Sequence, residues 1–176
     1  MLNFRDYLGY AERYLMLAED EIERSSEASW LLIPATILAW SAIESFVNNM
    51  LDDFSTLPEG MFELHERAFL LEKKIKFEDR GGRLGEFTLG ETEYRRLEDK
   101  IFFLIAKIGS RRTHNLRGGA LWQNFREFKD TRDALVHPRR EKGVCLSIEQ
   151  VERFVETSKG IIQLVSEHVW SKKVHF

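Results

Sequence analysis

The sequence lacks most features that would narrow its chemistry quickly. Of its 176 residues a single one, Cys145, is cysteine. No intrachain disulfide can form, and an intracellular protein is the simpler reading. There is no excess of positive charge: 26 Lys and Arg against 29 Asp and Glu leave a net charge of −3. The whole chain is therefore not attracted to nucleic acid, and any RNA or DNA site must be a local basic patch. Long apolar runs are missing too. The longest, WLLIPATILAW at 30–40, is too short for a bilayer, and extending it meets Glu44. The N-terminal stretch MLNFRDYLGYAERYLMLAED has charges throughout and does not read as a signal peptide. His65, His168 and His175 have no neighbours at ligand spacing, so no zinc site is expected. No glycine-rich loop matches a nucleotide fingerprint, and no cofactor is expected. Internal repeats, low-complexity tracts and linkers are also missing. One cytoplasmic domain over residues 1–176 is the resulting expectation, with no membrane association.

Helical periodicity dominates what is present. Phe4, Leu8, Ala11, Leu15, Ala18 and Ile22 form one stripe. Tyr94, Leu97, Ile101, Leu104 and Ile108 form a second, and Val151, Phe154, Ser158, Ile161, Val165 and Val169 a third. Ser147 and Gln150 fit a capping box that opens the last of these. Further helices are expected over about 34–54, 60–72 and 119–137, with Pro34 tolerated in a first turn. One segment departs from this pattern. EKKIKFEDRGGRLGEFTLG alternates around Ile75 and Phe77 and turns at Gly81-Gly82, as in a small β-hairpin near 73–89. Such an insertion is either a solvated excursion or a partner-binding arm. The fold class is thus all-α with a small hairpin.

Two charges occupy apolar positions. On the 119–137 helix, Leu121, Phe125 and Phe128 lead at the same spacing to Arg132 and then Leu135. On the 34–54 helix, Ile33, Ile37 and Trp40 lead to Glu44, then Val47 and Leu51, with Ser41 and Asn48 flanking Glu44. A charge on a core face is costly unless paired, so Arg132 and Glu44 are expected to share one polar cleft. The same pattern also reads as a purely structural ion pair, or as an arginine reaching solvent along its stem. His137 precedes Pro138, which pushes it out of helical geometry and leaves it free to turn toward the arginine. Asp133, four residues earlier, is placed to hydrogen-bond its imidazole. A basic residue favoured by the helix dipole would look the same.

The stretch RDALVHPR resembles the R-x4-6-H motif of the HEPN superfamily, and ATILAWSAIESFVNNML looks like that family's second core helix, including its central glutamate. The resemblance implies a HEPN-like helical bundle. It also implies a metal-independent endoribonuclease that leaves 2′,3′-cyclic phosphate ends, with Arg132 and His137 as the catalytic pair and Glu44 and Asp133 supporting them. Asp133 departs from the polar residue, most often asparagine, that the family carries after its arginine. Members without catalysis bind a nucleotide or a partner protein, which is the alternative reading. The family also implies a homodimer that serves as a toxin or an RNA-processing factor, and for toxin members an antitoxin or nucleotidyltransferase partner. The chemistry suits the residue types: histidine transfers protons near neutral pH, and arginine grips a phosphorane-like centre. Phosphate contacts are expected from Arg111, Arg112, His114 and Arg117 in the loop before the motif helix, and from Arg139 and Arg140 beyond it. Trp30, Trp40, Trp122 and Trp170 read as core or interface residues rather than stacking platforms, and Cys145 as structural.

Overall fold

The computed structural model describes residues 2–22, 29–58, 60–79, 81–82, 84–109, 116–137 and 143–176. Among the described residues six α-helices and one hairpin follow each other: α1 (Phe4–Ile22), α2 (Ser29–Ser55), α3 (Leu64–Leu70), β1 (Lys73–Phe77), β2 (Phe87–Thr92), α4 (Leu97–Phe103), α5 (Ala120–Val136) and α6 (Ile148–Trp170). The strands pair antiparallel, Ile75 opposite Leu89 and Phe77 opposite Phe87, with an irregularity between Lys73 and Ile75. The class is therefore all-α with a small hairpin, as the periodicity indicates.

Packing follows the stripes. Leu8, Ala11, Leu15 and Ala18 of α1 are buried, as are Val151, Phe154, Ser158, Ile161 and Val165 of α6. Helix α1 lies along α2, and α6 packs against α2 and α5. A run of aromatic rings crosses the centre. Phe102 packs on Trp122 (4.7 Å between centroids), Trp122 on Phe125 (4.9 Å) and Phe125 on Trp40 (5.2 Å). Trp40 meets Phe128 edge-on (5.3 Å), and Phe128 stacks on Phe154 (4.5 Å). Ring pairs of this kind add about 0.5–1.5 kcal/mol each beyond area burial. The buried Ser158 hydroxyl donates to Ala39 O of α2 at 2.9 Å, which ties α6 to α2 without leaving a polar atom unmet.

Several boundaries differ from the sequence expectation. Helix α2 starts at Ser29, so Pro34 is its sixth residue and cannot donate to Trp30 O, costing one bond in the second turn. Ile33 is 41 % exposed, because the buried face of α2 runs through Leu32, Ala35, Thr36, Ala39, Trp40, Ile43 and Val47. Over Trp30–Ser55 the helix is long and apolar enough to cross a membrane, and half of its most apolar window is buried inside the bundle. Helix α3 is shorter than expected. Tyr94 is exposed and lies before α4, whose stripe begins at Leu97. The helix continues into a π-turn over Leu104–Ile108, closed by Gly109 N–H donating to Leu104 O at 2.9 Å. Ser147 caps α6 through Gln150 N–H (3.2 Å), but the Gln150 amide reaches Glu127 (3.5 Å) and does not complete the box. A reciprocal box occurs instead at α3, between Glu63 and Glu66.

Candidate functional site

The site lies at the seam between α2 and α5. Trp40 and Glu44 are one helical turn apart on α2, and the indole Nε1–H donates to Glu44 Oε1 at 2.7 Å. The same oxygen accepts from Arg132 Nη2 at 3.3 Å, across 88 residues of sequence. The expected pairing of Glu44 with Arg132 is thus present. Neither charge is deeply buried: the arginine side chain is 25 % exposed and the glutamate 38 %. Both stand on the rim of the core, because the buried face of α2 is centred to one side of Glu44. The Arg132 guanidinium carbon sits 5.5 Å from the Trp40 ring centroid, so the indole supports the cation from below as well as donating to its partner.

Asp133 takes a different role from the one its spacing suggests. Its Oδ1 accepts from Arg132 Nη1 at 2.9 Å, and its Oδ2 lies 3.6 Å from Lys129 Nζ. The carboxylate is drawn to two full cations rather than to the imidazole. What Asp133 offers His137 is its backbone carbonyl, which accepts the His137 N–H at 2.9 Å and closes α5. His137 is the C-cap, with φ −123° and ψ 65°, outside helical geometry as the following proline requires. Its imidazole is exposed and has no hydrogen-bond partner among the described residues.

The site therefore holds two cations, Arg132 and Lys129, and two carboxylates, Glu44 and Asp133. Arg132 uses two of its five N–H donors on those carboxylates. The other described residues expected near the site do not converge here. Asn48 accepts from Lys100 Nζ at 2.9 Å, in a separate network where Lys100 also pairs with Glu72 at 2.9 Å. Ser41 donates to Ile37 O. Arg117 lies before α5, its guanidinium 4.6 Å from the Phe102 ring centroid. Arg111, Arg112, His114, Arg139 and Arg140 lie outside the described residues. Sequence reasoning missed the polar role of Trp40, although its position four residues before Glu44 is the signal that could have shown it. Among the described residues no three His, Cys, Asp or Glu side chains group to hold a metal ion. Compared with known protein families, curated proteins and solved structures, the chain matches none.

Proposed function

We propose that the chain is a HEPN-type endoribonuclease. It acts in the cytoplasm as a homodimer and cuts RNA without a metal, leaving 2′,3′-cyclic phosphate and 5′-hydroxyl ends. The observation that carries this reading is Arg132. A guanidinium anchored on one edge by Glu44 and Asp133 and backed by Trp40 keeps three N–H donors for a phosphate. His137 ends the same helix with an exposed imidazole suited to proton transfer. One histidine supplies one of the two proton steps at a time, and a two-fold mate supplies the second. In a toxin pair the partner is an antitoxin or a nucleotidyltransferase.

A second reading, a HEPN module that binds a nucleotide or protein without cutting, rests on the Arg132–Asp133 contact. A second carboxylate on the arginine lowers the positive charge available to a transition state. One experiment separates the two. Purified protein is incubated with structured and unstructured RNA, with and without excess chelator. Cleavage should persist with chelator, and His137→Ala should lower its rate roughly 10²–10⁴-fold. Arg132→Lys should also fail, since lysine keeps the charge without the planar fork. Asp133→Asn frees the arginine and should raise the rate. Equal cleavage by wild type and His137→Ala assigns the activity elsewhere. If no variant cleaves, Asp133→Asn included, while nucleotide still binds, the module reading stands.

A further inference from the structure

At the opposite end of α5 from His137, three arginines from three segments surround one cavity of about 280 Å³. Arg96 precedes α4, Arg117 lies in the turn before α5, and Arg126 is on α5 itself. The floor is aromatic, made by Phe102 and the buried Trp122. Arg117 lies over Phe102, which holds its plane in place and leaves its N–H edge available. Glu98 and Asp99 also line the cavity, yet none of the three guanidiniums forms an ion pair among the described residues. A cluster of cations that ignores two adjacent carboxylates leaves its donors open to a ligand from solution. The lining carries three positive and two negative charges, in a chain whose overall balance is negative.

We propose that this cavity is a phosphate-binding subsite, separate from the Arg132–His137 pair. Guanidinium forks match phosphate oxygens in pairs, and three of them converging from different segments surround a tetrahedral anion better than a planar carboxylate. Arg117 and Arg126 also line a second cleft, of about 690 Å³, which follows α5 past Asp130, Thr131 and Ala134. Ala134 is three residues before His137. A strand whose phosphate is held by the three arginines has a path along α5 to the end of that helix. The subsite thus deepens the ribonuclease reading and rests on it for the identity of the strand. The anion requirement itself follows from the cavity alone.

The test uses the His137→Ala protein, so that binding is read without cleavage. A short fluorescein-labelled single-stranded RNA is titrated by anisotropy at several salt concentrations, with inorganic phosphate and ADP as competitors. Arg117→Ala and Arg126→Ala should each weaken binding about tenfold and lower the log–log salt slope by about one. Glu98→Gln combined with Asp99→Asn should tighten it by roughly threefold, because two like-charged neighbours of the phosphate are removed. The substituted arginines are exposed, so folding checked by circular dichroism should be unchanged. Binding of the labelled RNA that excess phosphate or ADP displaces assigns the phosphate to a strand. If the RNA does not bind, calorimetric titration of ADP or phosphate that the arginine variants weaken assigns it to a free nucleotide and keeps the subsite. Arginine variants that bind like their parent, a weaker Glu98/Asp99 variant, or no binding of any probe would overturn it. Cleavage by wild type is scored separately. A chain that cleaves but ignores these substitutions loses the subsite alone, and one that binds through them without cleaving loses the ribonuclease reading alone.

Discussion

Replacing Arg132 by alanine should cost about 1–2 kcal/mol, well short of the roughly 3–5 kcal/mol lost when one partner of a fully buried ion pair is removed. Three observations set this size. Glu44 is 38 % exposed, so water solvates the orphaned carboxylate. Glu44 also keeps the Trp40 indole bond at 2.7 Å after the arginine has gone. The remaining losses are two screened ion pairs, to Glu44 and Asp133, together about 0.5–1 kcal/mol, and the cation over the Trp40 ring, about as much again. For a chain of this length the sum lowers the melting temperature by roughly 2–8 °C. Urea unfolding of Arg132→Ala, Glu44→Gln and the double variant completes a cycle whose coupling should be about 0.5–1 kcal/mol. A loss above about 3 kcal/mol would refute the reasoning by showing that the pair behaves as buried. A coupling of zero would show that the two groups do not interact. The consequence for enzymology is direct. From the apolar pattern alone, Arg132→Ala would be expected to unfold the cleft. With both side chains partly open to solvent it stays folded, and its rate can be interpreted.

Acid should destabilise the fold through Glu66 and Glu72. The Lys107 ammonium and the Glu63 N–H hold the Glu66 carboxyl below its ordinary 4.5. Burial pushes Glu72 up, but the Arg95 N–H and the Lys100 ammonium outweigh it, and the net displacement is downward. A carboxyl with a depressed folded pKa stabilises above its unfolded value and loses that contribution as pH falls through the folded one. Urea midpoints at about pH 6 and about pH 3 should therefore differ less in Glu66→Gln than in wild type, and an equal difference would exonerate Glu66. Gly109→Ala should cost roughly 2 kcal/mol or more, since a Cβ there meets Ile105 O at 2.3 Å and a backbone atom cannot swing aside. An unchanged melting temperature would mean that the π-turn opens freely. Sedimentation at micromolar concentration should give a two-fold dimer, and a clean monomer would sink the composite catalytic site.

Elements with one apolar stripe were legible in the sequence to within a residue or two, because a single periodic face admits one orientation. Helices α1, α5 and α6 are of this kind, and the alternation around Ile75 and Phe77 marked the hairpin. Helix α2 is apolar on most sides, so several stripes fit it equally. Its true face was set by what α1 and α6 present, which placed Ile33 outward and Glu44 on the rim. The Glu44–Arg132 contact was legible because two misplaced charges of opposite sign have few ways to be satisfied. Asp133 was not, because its spacing to His137 competes with two nearer cations, and spacing cannot rank them. Nor could sequence show that Lys100, 52 residues away, claims Asn48. Arg96 and Arg126 stood out only once Phe102 of α4 was seen against Trp122 of α5, with both arginines lining the cavity beside them.

The hairpin limits how two copies of the chain can meet. Its strands differ in charge: β1 holds Lys73, Lys74 and Lys76 between Glu72 and Glu78, whereas β2 holds Glu91 as its one charge and is flanked by Glu86 and Glu93. A two-fold axis along either sheet edge would place β1 beside β1 or β2 beside β2, lysines against lysines or glutamates against glutamates. Only a head-to-tail match would pair unlike charges, and that arrangement propagates instead of closing. The pattern therefore discourages symmetric sheet extension, much as edge lysines guard natural sheets against aggregation. A closed dimer of this protein would then meet through surfaces other than those two sheet edges.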